Sequence, residues 1–188
     1  GMGVLAAKQL RNAILPGLID ELTEALQRGL PAFEKTAPTA RMIHVASHGV
    51  FFPERPMDSY LALSGKTPEA GRLPAQEILQ MNLSRASLVV LSACDTGVGE
   101  VEAREGVFGL RRAFQIAGAR TLIMSLWPVQ DEATRAWMSE LYRGRKDGLS
   151  TAEAVRRASM ARLEATRKAG RGTHPFYWGA FVAAGDWR

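Results

Sequence analysis

The chain holds one cysteine, Cys94, and three histidines, His44, His48 and His174. Cys94 stands where the apolar run of Ser87-Leu88-Val89-Val90-Leu91-Ser92-Ala93-Cys94-Asp95-Thr96-Gly97 gives way to a turn. His48 stands where Met42-Ile43-His44-Val45-Ala46-Ser47 runs into His48-Gly49. A cysteine attacks as its thiolate, which a neighbouring imidazole or a helix N-terminus favours, and the oxyanion it creates needs hydrogen-bond donors. If the two strands are parallel neighbours, both side chains emerge at one sheet edge, with the backbone N–H groups of Gly49 and Cys94 in the same loop region. Taken alone, a single cysteine at a strand end also reads as a small buried hydrophobe, because free cysteine is among the most buried residue types. Both readings stay open on the residues alone.

Other chemistries find less support. One cysteine forms no internal disulfide and no thiolate zinc cluster, so the chain reads as cytoplasmic. Three dispersed histidines beside it lack metal-ligand spacing, and neither metal nor cofactor is expected. Gly97-Val98-Gly99 follows a strand as a dinucleotide turn would, but Glu102 stands where the third glycine belongs, and nucleotide binding is rejected. The net charge of +5 gathers in Arg143, Arg145, Lys146, Arg156, Arg157, Arg162, Arg167, Lys168 and Arg171, mixed with Glu153 and Glu164. Without interleaved exposed aromatics this reads as a solvated helix face, not a nucleic-acid site. His44 shares strand parity with His48, which allows a supporting place beneath it, but it reads more simply as a core histidine. His174, before Pro175-Phe176-Tyr177-Trp178, reads as a loop residue packing that aromatic cluster, and Phe114, Met124 and Trp127 read most simply as core, although Trp127 ends a strand on the active side.

The elements that must hold these residues follow from periodicity. With 188 residues, 46% of them hydrophobic and 23% charged, the composition is that of one globular domain. No apolar run reaches the roughly 20 residues of a membrane span. Residues 1–38 read as an amphipathic helical lead-in broken by Pro16, with Gly1 as the remnant of a cleaved tag on a chain cut from something longer. Met42–Ser47 reads as a strand entering a loop, Tyr60–Ser64 as a short hairpin-like excursion, and Pro74–Met81 as a helix leading into a strand over Leu88–Ala93. An amphipathic helix over Val107–Ala117 ends at Gly118, placed where a helix terminus wants a left-handed residue. A continuously apolar strand over Thr121–Leu126 follows, covered on both faces. Helices fit Asp131–Tyr142 and Thr151–Thr166, the second with Ser150 or Thr151 as cap, and Ala180–Ala184 closes the chain. This alternation predicts an α/β fold, a mostly parallel sheet with helices on both faces and its working residues in loops at the carboxyl ends of strands.

The pairing of MIHVASHG with LVVLSACDTGVGE, then EGVFGLRRAFQIAGARTLIMSLWPVQDEAT and the closing HPFYWGAFVAAGD, resembles the CHAT domain, a caspase-like cysteine peptidase family. The resemblance runs from about Ala40 to Asp186, so the domain is placed at 39–188, as the C-terminal part of a larger protein. It implies a caspase-like three-layer sandwich, lacking an N-terminal part of the sheet because the upstream strand and helix of the family have no counterpart here. It also implies a His–Cys dyad that hydrolyses peptide bonds, with His48 as general base, Cys94 as nucleophile, and the backbone at Gly49 and Cys94 as oxyanion hole. Asp95 stands where the family commonly has glutamate. The partners implied are a protein or peptide substrate and an upstream domain of tetratricopeptide-repeat type, with no nucleic acid and no membrane. The alternative is a non-catalytic interaction module within a larger assembly. For substrate binding the candidates are Asp95, Trp127, Asp131 and Asp58. The negative charge of the three aspartates, together with the arginine preference of the related separases, predicts a basic or neutral residue before the cleaved bond and no acceptance of aspartate. Asp131 also reads as the N-cap of the helix that follows it.

Overall fold

The computed structural model describes residues 29–92, 94–95, 103–127, 129–186 and 188. Most of the helical lead-in, the loop at 96–102 and Pro128 lie outside the described residues, as do the side chains at 94, 95, 103–108 and 131. In chain order the elements are α1 (Leu30–Thr36), β1 (Met42–Val45), β2 (His48–Val50), β3 (Tyr60–Ala62), β4 (Arg72–Pro74), α2 (Ala75–Gln80), β5 (Leu88–Leu91), β6 (Cys94–Asp95), α3 (Ala103–Ile116), β7 (Thr121–Ser125), α4 (Asp131–Lys146), α5 (Thr151–Lys168) and β8 (Phe181–Gly185).

The main sheet has the order β1-β5-β7-β8, the first three strands parallel and β8 antiparallel to β7. Every residue of β5 and β7 is buried, which their unbroken apolar runs require of strands covered on both faces. Side chains alternate between the faces of a strand, and this alternation sorts the core into two layers. Ile43, Val45, Val89, Leu91, Leu122 and Met124 pack with Ile78 of α2 and with Leu110, Ala113 and Phe114 of α3. Leu88, Val90 and Ile123 pack on the other side with Trp137, Met138, Leu141 and Tyr142 of α4 and with Ala154 and Ala158 of α5. Helix, sheet and helix therefore make three layers, the α/β caspase-like architecture expected.

Local chemistry sets the helix ends. Ser150 caps α5 with a capping box: its hydroxyl accepts from the Glu153 N–H while the Glu153 carboxylate accepts from the Ser150 N–H. Gly118 follows α3 with φ at +105°, a conformation natural to glycine, and a Cβ there would come within 2.9 Å of the Ser84 nitrogen. The cap of α4 departs from expectation. Gln130 is its N-cap, without a side-chain capping bond, and Asp131 is the first helical residue.

A second sheet, β4-β3-β2-β6, grows from the end of the first. β2 is antiparallel to β3 and parallel to β6. The register carries over from the main sheet, since 42 pairs with 88 in β1 and β5 and 48 pairs with 94 in β2 and β6. The Ser92 N–H donates to the Val45 carbonyl at 2.9 Å across the gap between the pairs. Two expected strands are thus each interrupted. Met42–Ser47 ends at Val45 and resumes at His48, and Leu88–Ala93 ends at Leu91 and resumes at Cys94. The first interruption includes Ser47, whose hydroxyl donates to the Ala62 carbonyl and ties the chain to β3.

Candidate active site

His48 and Cys94 are direct register partners in the parallel β2–β6 pair. Adjacent strands lie about 4.8 Å apart, and residues level with one another share a face. Counting across the second sheet, Arg72, Ala62, His48 and Cys94 form one row. His48 and Arg72 are exposed. The neighbouring row, Leu73, Leu61, Gly49 and Asp95, belongs to the opposite face, where Leu61, Leu73 and Gly49 are buried against the core. The register therefore sets His48, itself exposed, level with Cys94, and Gly49 level with Asp95. Gly49 lies inside β2 with a strand on either side, not in the open loop expected of it.

The other candidates scatter. Asp58 is engaged through both oxygens, with Arg55 Nη1 at 3.0 Å and with Gln76 Nε2, which donates at 3.2 Å. Trp127 is half-buried just past β7, its ring stacked on Phe176 with centroids 6.1 Å apart and its indole N–H donated to the Phe176 carbonyl at 3.2 Å. Trp127 lies two residues past the end of β7, the neighbour of β5 in the main sheet. Asp131 opens α4 a few residues later. His174 caps the turn Pro175–Tyr177, its Nδ1 accepting from the Phe176 N–H at 3.2 Å.

His44 is a core residue. It is 7% exposed and its Nδ1 lies 2.6 Å from the Tyr142 hydroxyl. Burial lowers its pKa from 6.5 to about 4 and pushes the Tyr142 phenol well above its usual value. The pair belongs to the layer of α4, and the break at residues 46–47 separates His44 from the strand of His48.

The hairpin beside His48 contributes residues that sequence reasoning passed over. Arg72 lies over the Tyr60 ring at 5.1 Å, and Arg55 lies over Phe52 at 5.8 Å. The signal was the alternation in Tyr60-Leu61-Ala62: buried Leu61 assigns its two neighbours to the His48 face. Among the described residues no three His, Cys, Asp or Glu side chains are grouped to hold a metal ion, and no helix is long and apolar enough to cross a membrane.

Three layers around a mostly parallel sheet, with a histidine and a cysteine level with each other beyond its carboxyl edge, define a caspase-like α/β protein. The chain belongs to the CHAT domain family, which it matches over residues 8–186, nearly its whole length and including most of the segment read as a lead-in. Two curated relatives, each named Tetratricopeptide repeat protein 28, come from Mus musculus and Homo sapiens. Each is 31% identical over 114 residues, a span of 61% of this chain but 4% of the relative.

Proposed function

We propose that this chain is a cysteine endopeptidase domain of caspase-like type. The observation that supports the reading is the register pairing of the exposed His48 with Cys94. In this mechanism His48 takes the Cys94 thiol proton, and the thiolate sulfur bonds to the scissile carbonyl carbon. The carbonyl oxygen becomes an oxyanion that accepts from the Cys94 backbone N–H; Gly49, expected as the second donor, lies inside β2 between two strands. Collapse breaks the C–N bond, His48 gives its proton to the departing amine, and a thioester remains. His48 then takes a proton from water, whose oxygen attacks the thioester, and the sulfur leaves to restore the free enzyme.

Trp127 and Asp131 form one side of the cleft for the residue before the scissile bond, which is basic or neutral. Of the other acidic candidates, Asp58 is already engaged with Arg55 and Gln76, which leaves Asp131 to supply the charge. The substrate is a protein or peptide, the compartment is cytoplasmic, and the full-length protein carries a tetratricopeptide-repeat domain, a reading supported by the relatives' name. That name mentions repeats and no peptidase activity, and so also favours a second reading: an interaction module that keeps the dyad without using it.

Mass mapping separates the two. The chain and a His48→Ala variant are incubated with a thiol-reactive peptide electrophile. Rapid labelling of Cys94 that slows by about two orders of magnitude or more without His48 is expected, in line with the size of acid–base assistance. Equal, slow labelling in both proteins would leave the non-catalytic module as the answer.

A further inference from the structure

The strand that carries His48 is held by a short ladder. β2 pairs with β3 over three residues, His48, Gly49 and Val50 against Ala62, Leu61 and Tyr60, and with the two residues of β6 on its other side. A ladder this short, with glycine at its centre, specifies its own register weakly. Register decides the site, because a slip of one residue turns His48 to the opposite face and sets another residue level with Cys94. Two serine hydroxyls stand at the two ends of the β2–β3 pair. At one end Ser47 donates its hydroxyl to the carbonyl of Ala62, the register partner of His48. At the other end Ser59 Oγ accepts from the Phe52 N–H at 3.0 Å and closes the connection between the strands. The Ser59 backbone is fixed as well: its N–H donates to the Pro56 carbonyl at 3.3 Å, and its carbonyl accepts from the Ala75 N–H at 2.8 Å.

Burial alone would not choose serine at either position. By strand alternation position 47 belongs with Ile43, Val45 and Gly49, all of them buried. An aliphatic side chain there would bury more apolar area, and serine gives that up for a bond whose effect is to tie the residue before His48 to the neighbouring strand. Ser59 is 0% exposed and spends its hydroxyl on the same connection. We propose that Ser47 and Ser59 are positioning residues, whose hydroxyls lock the two ends of the β2–β3 pair in register and so hold His48 level with Cys94. Both act through β2, and the lock itself requires no peptidase activity. Its consequence for the thiol rests on the dyad of the proposed function, where a displacement of about 1 Å in a reacting group costs up to about a hundredfold in rate.

The test compares the wild-type chain with Ser47→Ala, Ser47→Thr, Ser59→Ala and His48→Ala by two readouts: amide hydrogen exchange, and the rate of Cys94 labelling by the thiol-reactive peptide electrophile against pH. In Ser47→Ala the amides of residues 48–50 and 60–62 should exchange about fivefold to tenfold faster, the effect of losing one hydrogen bond, while those of β5 and β7 keep their wild-type rates. Labelling should slow by about tenfold, and its pH profile should move toward that of His48→Ala. Ser47→Thr keeps the donor and should return both readouts to within about twofold of wild type. Ser59→Ala should reproduce the loss from the other end, and it carries the question if Ser47→Ala does not fold. Wild-type exchange at 48–50 and 60–62 in the alanine variants would overturn the proposal. So would faster exchange there with labelling and pH profile unchanged, provided that His48→Ala slows labelling. If His48→Ala labels as fast as wild type, the dyad reading fails, and exchange at these six amides alone decides the lock: faster supports it, unchanged refutes it.

Discussion

His44 makes the stability of this protein depend on pH in a calculable way. The imidazole is buried against Tyr142 and stays neutral until its pKa of about 4, whereas in the unfolded chain it titrates near 6.5. A histidine with a depressed native pKa binds more protons unfolded than folded between those two values. Its stabilising contribution is therefore complete above pH 6.5 and is lost as pH falls toward 4. One proton of difference is worth about 1.4 kcal/mol per pH unit, so the whole window amounts to about 3 kcal/mol. The assay is urea unfolding at half-unit steps from pH 7.5 to 4.5 for the wild-type chain and a His44→Gln variant. Glutamine does not titrate, and subtracting the two curves removes the carboxylates common to both. The wild type should lose stability relative to the variant along that slope as pH falls below 6.5. A stability difference that stays constant across the range would refute the reasoning, and so would a His44 ring resonance titrating near 6.5 in the folded protein.

Two further substitutions probe the frame around the site. Ser150→Ala removes the α5 capping box and should cost about 1 kcal/mol, read as a fall in Tm of about 2–4 °C for a chain of this size. Gly109→Ala places a methyl group against the Pro56 carbonyl, where α3 passes the turn that leads into β3. Overpacking of this kind should cost about 1–3 kcal/mol, seen as a lower urea midpoint.

The main sheet and its helices were legible from patterns that are local in origin. Unbroken apolar runs at Leu88–Leu91 and Thr121–Ser125 require burial on both faces, the Ser150–Glu153 spacing is a cap whatever surrounds it, and Gly118 marks a helix end through its own backbone freedom. His48 and Cys94 could be singled out for the same reason, as residue types suited to acyl transfer at the ends of apolar runs. Their relation to each other could not. Whether 48 stands level with 94, and not one residue off and on the opposite face, depends on which strands pair and in what register, and hydrogen bonds between distant segments set that. The same dependence explains why strands that read as continuous are broken, the first at residues 46–47 and the second after Leu91, and why Gly49 is inside a strand. It also explains why Asp58 meets Gln76, whereas the pairing of Asp58 with Arg55 is a local i,i+3 contact. Thr134 and Arg162 look like ordinary helix residues in the sequence. Only the packing of α4 and α5 beneath the aromatic turn buries Thr134 Oγ1 and Arg162 Nε, which have no partner among the described residues.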